Sequence, residues 1–242
     1  MPELPPLRTI TALTHLNNLR GGMSSAALFA CDDGRRYALK HPGLHRALVA
    51  EQVVARLGLR IGAPCMEVAI ANVPPELVAA DPALARYGGG PSHASGFVDG
   101  LYEVRAIAHA DHPKNRSRFA SLCVLFSWAL AADHQFLYEL APPHLVHSHD
   151  HGLFFPGQHQ WTPVSVAAGH NATLDPQFNA LVLTPQELEP PRAELETVTA
   201  VEIRDIVTAV PPQWGASGQD LQALTDCLCA RRDSLLALLH NG

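Results

Sequence analysis

The N-terminal third of the chain alternates between hydrophobic and polar residues in the way that strands do. Residues 8–13 alternate over one short run, and residues 36–40 do so again. Between them, residues 25–31 are small and apolar, and the letters DDG that follow are a hairpin turn signal. We therefore predict a strand over 8–13 and, over 21–40, a β-hairpin that contains a glycine-rich loop.

The pattern then changes from a period of two to a helical period. Apolar residues recur at helical spacing over 45–59, and Gly58 is expected to end this helix. Residues 64–73 return to a strand pattern. Residues 81–99 are rich in Pro, Gly, Ser and Ala and show little periodicity, so we predict a loop or linker there.

The second part of the chain is predicted to be mainly helical. Residues 119–132 are almost wholly apolar and have the length of a buried helix, and helical patterns recur over 198–210 and 220–239. Between these, residues 144–155 read as a short strand and turn. The fold class predicted from these patterns is α+β, with strands first and helices afterwards.

Composition and charge narrow the possible partners. The 242 residues carry a formal net charge of -6, so no general basic field attracts nucleic acid or an anionic membrane. No apolar run is long enough for a transmembrane helix, and the N-terminus lacks a signal-peptide pattern. The five cysteines are scattered and odd in number, which favours free thiols and a cytoplasmic location.

The predicted hairpin and helix contain the parts of a phosphate-binding site. The loop carries the small residues Gly21, Gly22, Ser24 and Ser25. Small residues let backbone N–H groups approach a phosphate. Lys40 ends the next strand and supplies positive charge, and Glu51 on the following helix is placed to pair with it. A surface hairpin with a solvated lysine and glutamate is the alternative interpretation.

Two aspartates in the second part are candidates for catalysis and metal binding. Asp133 follows the predicted buried helix, and Asp150 lies in a predicted strand and turn before Gly152. A kinase uses one aspartate near the attacking hydroxyl and another to hold Mg²⁺ between the phosphates. We therefore predict that Asp133 acts near the attacking hydroxyl and that Asp150 holds Mg²⁺.

Four stretches of the sequence resemble one known family. They are LRGGMSSAALFACDDGRRYALK, LVAEQVVARLGLRIGAPC, HSHDHGLFF and the C-terminal segment over 203–239. The chain is similar to the HipA-like kinases, the small relatives of the HipA toxin kinases. The resemblance implies a bilobal protein-kinase-like fold, with a β-rich N-lobe over 1–74 and a mainly helical C-lobe over 75–242.

The same resemblance implies ATP and Mg²⁺ as ligands and phosphoryl transfer to Ser, Thr or another hydroxyl. Lys40 would hold the α- and β-phosphates, Glu51 would orient it, and the glycine-rich loop would cover the phosphates. Asp150 would bind Mg²⁺, and Asp133 would act as the base or orienting residue. The phosphoacceptor, a protein or a small molecule, is not specified by the sequence.

The sequence departs from the family at its catalytic loop. The family pattern has Arg after the catalytic Asp and Asn about five residues after it. This chain has His134 and Tyr138 there. A phenol is a poor ligand for Mg²⁺, although Glu139 is adjacent. A nucleotide-binding pseudokinase that acts as a sensor or scaffold is therefore the first alternative.

A second alternative comes from the histidines that flank Asp150. On an uninterrupted strand, His147, His149 and His151 would lie on one face and could bind an ion such as Zn²⁺. A partly exposed strand without metal is the simpler interpretation, because residues two apart on a strand lie about 6–7 Å from each other.

Overall fold

The computed structural model describes residues 4–19 and 25–241. The strands are β1 (Arg8–Asn18), β2 (Ala27–Cys31), β3 (Arg36–Lys40), β4 (Val68–Asn72), β5 (Ser92–Gly96), β6 (Leu101–Val104), β7 (Phe136–Glu139) and β8 (Val146–Ser148). The helices are α1 (Arg46–Arg60), α2 (Pro75–Ala80), α3 (Pro113–Ala129), α4 (Pro163–Ala167), α5 (Pro185–Glu196), α6 (Ala200–Thr208) and α7 (Gly218–Asn241). Within this part of the chain, no helix combines the length and apolar character that a bilayer-spanning segment needs.

Five strands form a closed sheet in the order β1-β2-β3-β5-β4. Neighbouring strands are antiparallel except for β1 and β4, whose parallel pairing closes the sheet. Its interior is filled by a separate cluster of buried side chains, among them Ile10, Ala12, Phe29, Leu39, Ala69 and Ala94. Small residues recur in this cluster because a barrel of few strands leaves little room inside. The predicted hairpin is confirmed for its described residues.

The prediction of a linker over 81–99 is wrong, because this stretch contains β5. This strand pairs with β3 on one side and β4 on the other, so its backbone groups are satisfied on both edges. Ser, Ala and Gly have low strand propensity, but two neighbouring strands outweigh that preference. The boundary between residues 74 and 75 stays a prediction, although the sheet takes its strand β5 from beyond it.

Helix α1 lies between the closed sheet and the helical part. Its apolar residues belong to the same buried cluster as those of α3, including Leu57 and Leu125. The helix continues to Arg60, so the prediction that Gly58 ends it is wrong. A Cβ on Gly58 would collide with Sγ of Cys65 and lie 2.8 Å from Cδ2 of Leu125. Gly58 is therefore a packing residue that allows α1 to approach these neighbours.

The remaining strands form a small antiparallel sheet in the order β6-β7-β8. Its strand β8 is joined to the segment before β4, because the N–H of Ser148 donates to the carbonyl of Pro64 at 2.8 Å. The predicted helices over 119–132, 198–210 and 220–239 are confirmed by α3, α6 and α7. The α+β class is confirmed, and the contacts of α1 and β8 position the two parts against each other.

Candidate active site

A pocket of about 790 Å³ lies where the end of β3, the first half of α1 and the segments flanking β7 and β8 meet. It contains the four charged residues predicted from the sequence: Lys40, Glu51, Asp133 and Asp150. These residues come from positions up to 110 apart in the chain. The fold therefore brings together one positive and three negative side chains. The sequence had given their order along the chain but not their proximity.

Lys40 lies between two carboxylates. Its Nζ donates to Oε1 of Glu51 and, at 2.7 Å, to Oδ1 of Asp150. Only 9% of Lys40 and 4% of Glu51 is exposed. Burial acts to lower the pKa of Lys40, but the two carboxylates outweigh burial and raise the pKa above its ordinary value. The lysine is therefore a permanent, fixed positive charge at the base of the pocket.

Glu51 also holds the turn that follows β8. Its Oε2 accepts a hydrogen bond from the backbone N–H of His151 at 2.9 Å. Gly152 passes so close that a Cβ there would lie 2.9 Å from Oε1 of Glu51. One carboxylate on α1 thus connects β3 with the Asp-His-Gly turn, and the glycine makes this approach possible.

The turn at Asp150 interrupts the strand pattern. Strand β8 ends at Ser148, and Asp150 has φ of +56°, in the left-handed region that few non-glycine residues adopt. A non-glycine residue keeps such a backbone conformation where the surrounding structure holds it in place. Here the conformation accompanies the ion pair between Asp150 and Lys40.

Because of this turn, the uninterrupted strand that would place the three histidines on one face does not form. His147 pairs with Glu139 at 3.1 Å, whereas the Nε2 of His151 lies 2.8 Å from Oγ of Ser148 in the interior. Burial lowers the pKa of His149 to about 4. Across residues 4–19 and 25–241, no group of three or more His, Cys, Asp or Glu side chains is placed to hold a metal ion.

Two further side chains contact Asp133 and were not predicted. Gln135 donates from Nε2 to Oδ2 of Asp133 at 2.6 Å, and Arg105 approaches Oδ1 from Nη1 at 3.4 Å. Both line the pocket. Gln135 comes just before β7, where the apolar run Phe-Leu-Tyr hides the strand alternation. Arg105 is 28 residues away from Asp133, so no local pattern could identify it.

The two residues that depart from the family pattern, His134 and Tyr138, form hydrogen bonds with groups elsewhere in the protein. His134 lies 2.9 and 3.0 Å from the two carboxylate oxygens of Asp175. Tyr138 is fully buried; its hydroxyl accepts from the N–H of Ala108 and donates to the carbonyl of Ala106. Burial raises the pKa of Tyr138 to about 12. Neither Tyr138 nor Glu139 lines the pocket.

Behind Lys40 lies a second buried histidine. His93 on β5 contacts Oε1 of Gln52 through Nδ1 at 2.9 Å. Burial, helped by the positive charge of Lys40, lowers the pKa of His93 and of His151 to about 3. Both rings are therefore neutral at physiological pH. They add no positive charge that would compete with Lys40 for the two carboxylates.

The part of the pocket lining that contains Trp161 is held against α1 and α7 by hydrogen bonds. The fully buried Trp161 donates from Nε1 to the carbonyl of Arg46 at 3.1 Å, and the Arg46 guanidinium lies 4.9 Å from the ring centroid. Arg46 in turn donates to the carbonyl of Trp161 at 2.6 Å and to Asp220 at 2.8 Å. The segment after Asp150 is thereby held against the N-terminus of α1.

The glycine-rich loop is only partly described. Gly21, Gly22 and Ser24 lie outside the described residues. Ser25 is exposed, has φ of +46° and lies two residues before the start of β2. Its predicted role in covering a phosphate stays a prediction.

Comparison with known proteins identifies the fold and family. The Helicobacter pylori proinflammatory kinase CtkA matches with a TM-score of 0.67 and 11% identity, over 98% of this chain and 97% of that one. The Golgi casein kinase with Mn/ADP bound matches with a TM-score of 0.47 and 10% identity, over 96% of this chain and 73% of that one. No curated protein matches in sequence. The match with CtkA confirms the protein-kinase-like fold. The family model described as HipA-like kinase matches residues 14–136, slightly more than half of the sequence, and the chain therefore belongs to the HipA-like kinase family.

Proposed function

We propose that this protein is an ATP-dependent kinase that transfers the γ-phosphoryl group of ATP to a hydroxyl acceptor, a Ser or Thr side chain or a small molecule. The observation that carries this proposal is the position of Lys40, whose Nζ contacts Glu51 on α1 and Asp150 in the turn after β8. This lysine, fixed by a helix glutamate and facing a metal-binding aspartate, is the arrangement that kinases use to hold the phosphates of ATP.

The donor set of the pocket fits Mg²⁺. Asp133 and Asp150 offer carboxylate oxygens, the ligands that this hard cation prefers. Protein sites for Mg²⁺ use one or two carboxylates and leave the other positions to water and substrate phosphates. The absence of a three-residue metal cluster within the described residues is compatible with such a site. Mg²⁺ would neutralise the charge that develops on the phosphates.

The roles of the chain's own groups follow from their geometry. Lys40 would hold the α- and β-phosphates, and Glu51 would keep its ammonium group in place. The bond between the γ-phosphorus and its bridging oxygen breaks, and a bond to the acceptor oxygen forms. The acceptor proton passes to the carboxylate of Asp133, which lies in the same pocket.

Calorimetric binding of Mg·ATP to the wild type and to Lys40→Ala tests the nucleotide site. Micromolar binding that Lys40→Ala weakens by about tenfold or more, roughly 1.4 kcal/mol, is expected. Lys114 is the only other lysine in the sequence and is exposed at the start of α3, so Lys114→Ala is a matched control. Absence of binding by the wild type, or equal binding by all three proteins, contradicts the proposal.

A nucleotide-binding pseudokinase is the second candidate, and Tyr138 is the observation that favours it. The hydroxyl of Tyr138 is occupied by the backbone of Ala106 and Ala108, so this position supplies no metal ligand to the pocket. Incubation with γ-labelled ATP separates the two candidates. Transfer of label to the protein or to added substrates indicates a kinase, whereas tight ATP binding without any transfer indicates a pseudokinase.

A further inference from the structure

In the pocket, the carboxamide of Gln135 lies next to the predicted catalytic aspartate and offers a neutral oxygen of the kind that Mg²⁺ accepts. Glu51 is buried and accepts hydrogen bonds from Lys40 and from the N–H of His151, so it holds these two groups in place. Asp133 and Asp150 remain as carboxylates, and Gln135 lies beside Asp133 in the same pocket. Amide carbonyls are accepted ligands for hard cations, together with carboxylates and water.

Strand alternation explains why Gln135 reaches the pocket. Successive side chains of a strand point to opposite faces. Phe136 and Tyr138 of β7 are both fully buried in the hydrophobic core. Gln135 directly precedes Phe136 and therefore points to the opposite side, where it lines the pocket. The residue at the family's Asn position thus faces the core, and the residue three positions earlier faces the site.

The contact with Asp133 fixes the orientation of the carboxamide. An ionised carboxylate only accepts hydrogen bonds, so the amide group must present its NH₂ to Asp133, as it does at 2.6 Å. The carboxamide oxygen then points elsewhere, and no other described residue donates a hydrogen bond to it. Only 6% of Gln135 is exposed, so the side chain is held in place by its surroundings.

We propose that the carboxamide oxygen of Gln135 is a ligand of the divalent metal ion that accompanies the nucleotide. It supplies the oxygen that Tyr138 cannot, while its NH₂ group orients Asp133. This inference rests on the proposed nucleotide site and adds a metal ligand that lies outside the family pattern.

The test measures metal binding directly, with Mn²⁺ as a paramagnetic probe. Free Mn²⁺ is titrated by electron paramagnetic resonance in the presence of saturating ADP, and ADP affinity is measured separately in EDTA. We expect Gln135→Leu to weaken Mn²⁺ binding by about tenfold, roughly 1.4 kcal/mol, and to leave ADP affinity in EDTA unchanged. Gln222 on α7 also donates an amide hydrogen bond to an aspartate, Asp226, at 2.8 Å, so Gln222→Leu is the matched control.

Gln135→Glu separates a metal ligand from a group that only orients Asp133. A carboxylate retains an oxygen ligand, so Mn²⁺ affinity is expected to equal or exceed that of the wild type. If Gln135 only donated an N–H to Asp133, the Glu variant would repel that carboxylate and bind Mn²⁺ as poorly as the Leu variant. The Glu result also stands on its own if the Leu variant does not fold.

Two outcomes overturn the inference in distinguishable ways. If wild type and Gln135→Leu bind ADP and Mn²⁺ equally well, the nucleotide site stands and the role of Gln135 is refuted. If the wild type binds no ADP with or without Mn²⁺, the proposed function fails and the metal assignment fails with it.

Discussion

Replacement of Glu51 by Gln removes one charge and changes little in volume. Glu51 accepts hydrogen bonds from Lys40 with one oxygen and from the N–H of His151 with the other. A carboxamide has only one oxygen, so in Glu51→Gln its NH₂ group must face one of these two donors. One hydrogen bond is therefore lost, and Lys40 keeps Asp150 as its only carboxylate partner.

The cost follows from burial. Breaking a buried ion pair by removing one partner destabilises a protein by about 3–5 kcal/mol. Because Asp150 still accepts from Lys40 at 2.7 Å, we expect the lower end of this range, about 3 kcal/mol for Glu51→Gln. For a chain of this length, 1 kcal/mol corresponds to a change in melting temperature of about 2–4 °C. The expected decrease is therefore about 6 °C or more.

Thermal unfolding followed by circular dichroism measures this decrease. Glu189→Gln is the control, because Glu189 pairs with Arg192 through both oxygens at 2.7 Å but is 57% exposed. Its replacement is expected to leave the melting temperature unchanged, since exposed ion pairs contribute little. If the two variants melt within a degree or so of each other, the reasoning that the Lys40–Glu51 pair is a buried structural contact is wrong.

Three further perturbations test the site and its supports. Since His93 and His151 have folded-state pKa values near 3, against an ordinary value of 6.5, the unfolded chain takes up protons below pH 6.5 that the folded protein does not. The melting temperature should fall from pH 6.5 to 5, and less steeply in His93→Gln; an equal slope in both proteins would contradict this. Gly58→Ala should destabilise the protein by about 1–3 kcal/mol through overpacking, whereas Gly218→Ala, with open space around its Cβ, should not; chemical denaturation compares them. Gly152→Ala should displace Glu51, whose Oε1 would lie 2.9 Å from the new Cβ, and so weaken Mg·ATP binding several-fold by calorimetry; unchanged affinity would refute this.

Local patterns predicted those elements of the fold whose conformation is set by residues close together in the sequence. The alternation in β3 and the helical spacing in α1 depend on neighbouring residues, and these elements place Lys40 and Glu51 as expected. Strand β5 was missed because Ser, Ala and Gly carry no strand signal. It forms because β3 and β4 supply hydrogen bonds on both sides.

In the site, too, local sequence predicted some residues and missed others. Motif spacing predicted Asp133 and Asp150, which line the pocket, but directed attention to Tyr138, which faces the core. Burial of Phe136 and Tyr138 places Gln135 on the opposite side, but the apolar run Phe-Leu-Tyr in the sequence does not show this alternation. The contact of Arg46 with Trp161 joins residues 115 positions apart, and no local pattern encodes such a pair.

That same contact has a consequence for the thermodynamics of ligand binding. A loop that becomes ordered around a ligand loses conformational entropy, and this loss reduces the affinity. In this protein the segment around Trp161 is already held by Arg46, which is held in turn by Asp220. The conformational entropy of this segment is therefore lost during folding. A ligand that enters the pocket does not have to order the segment further.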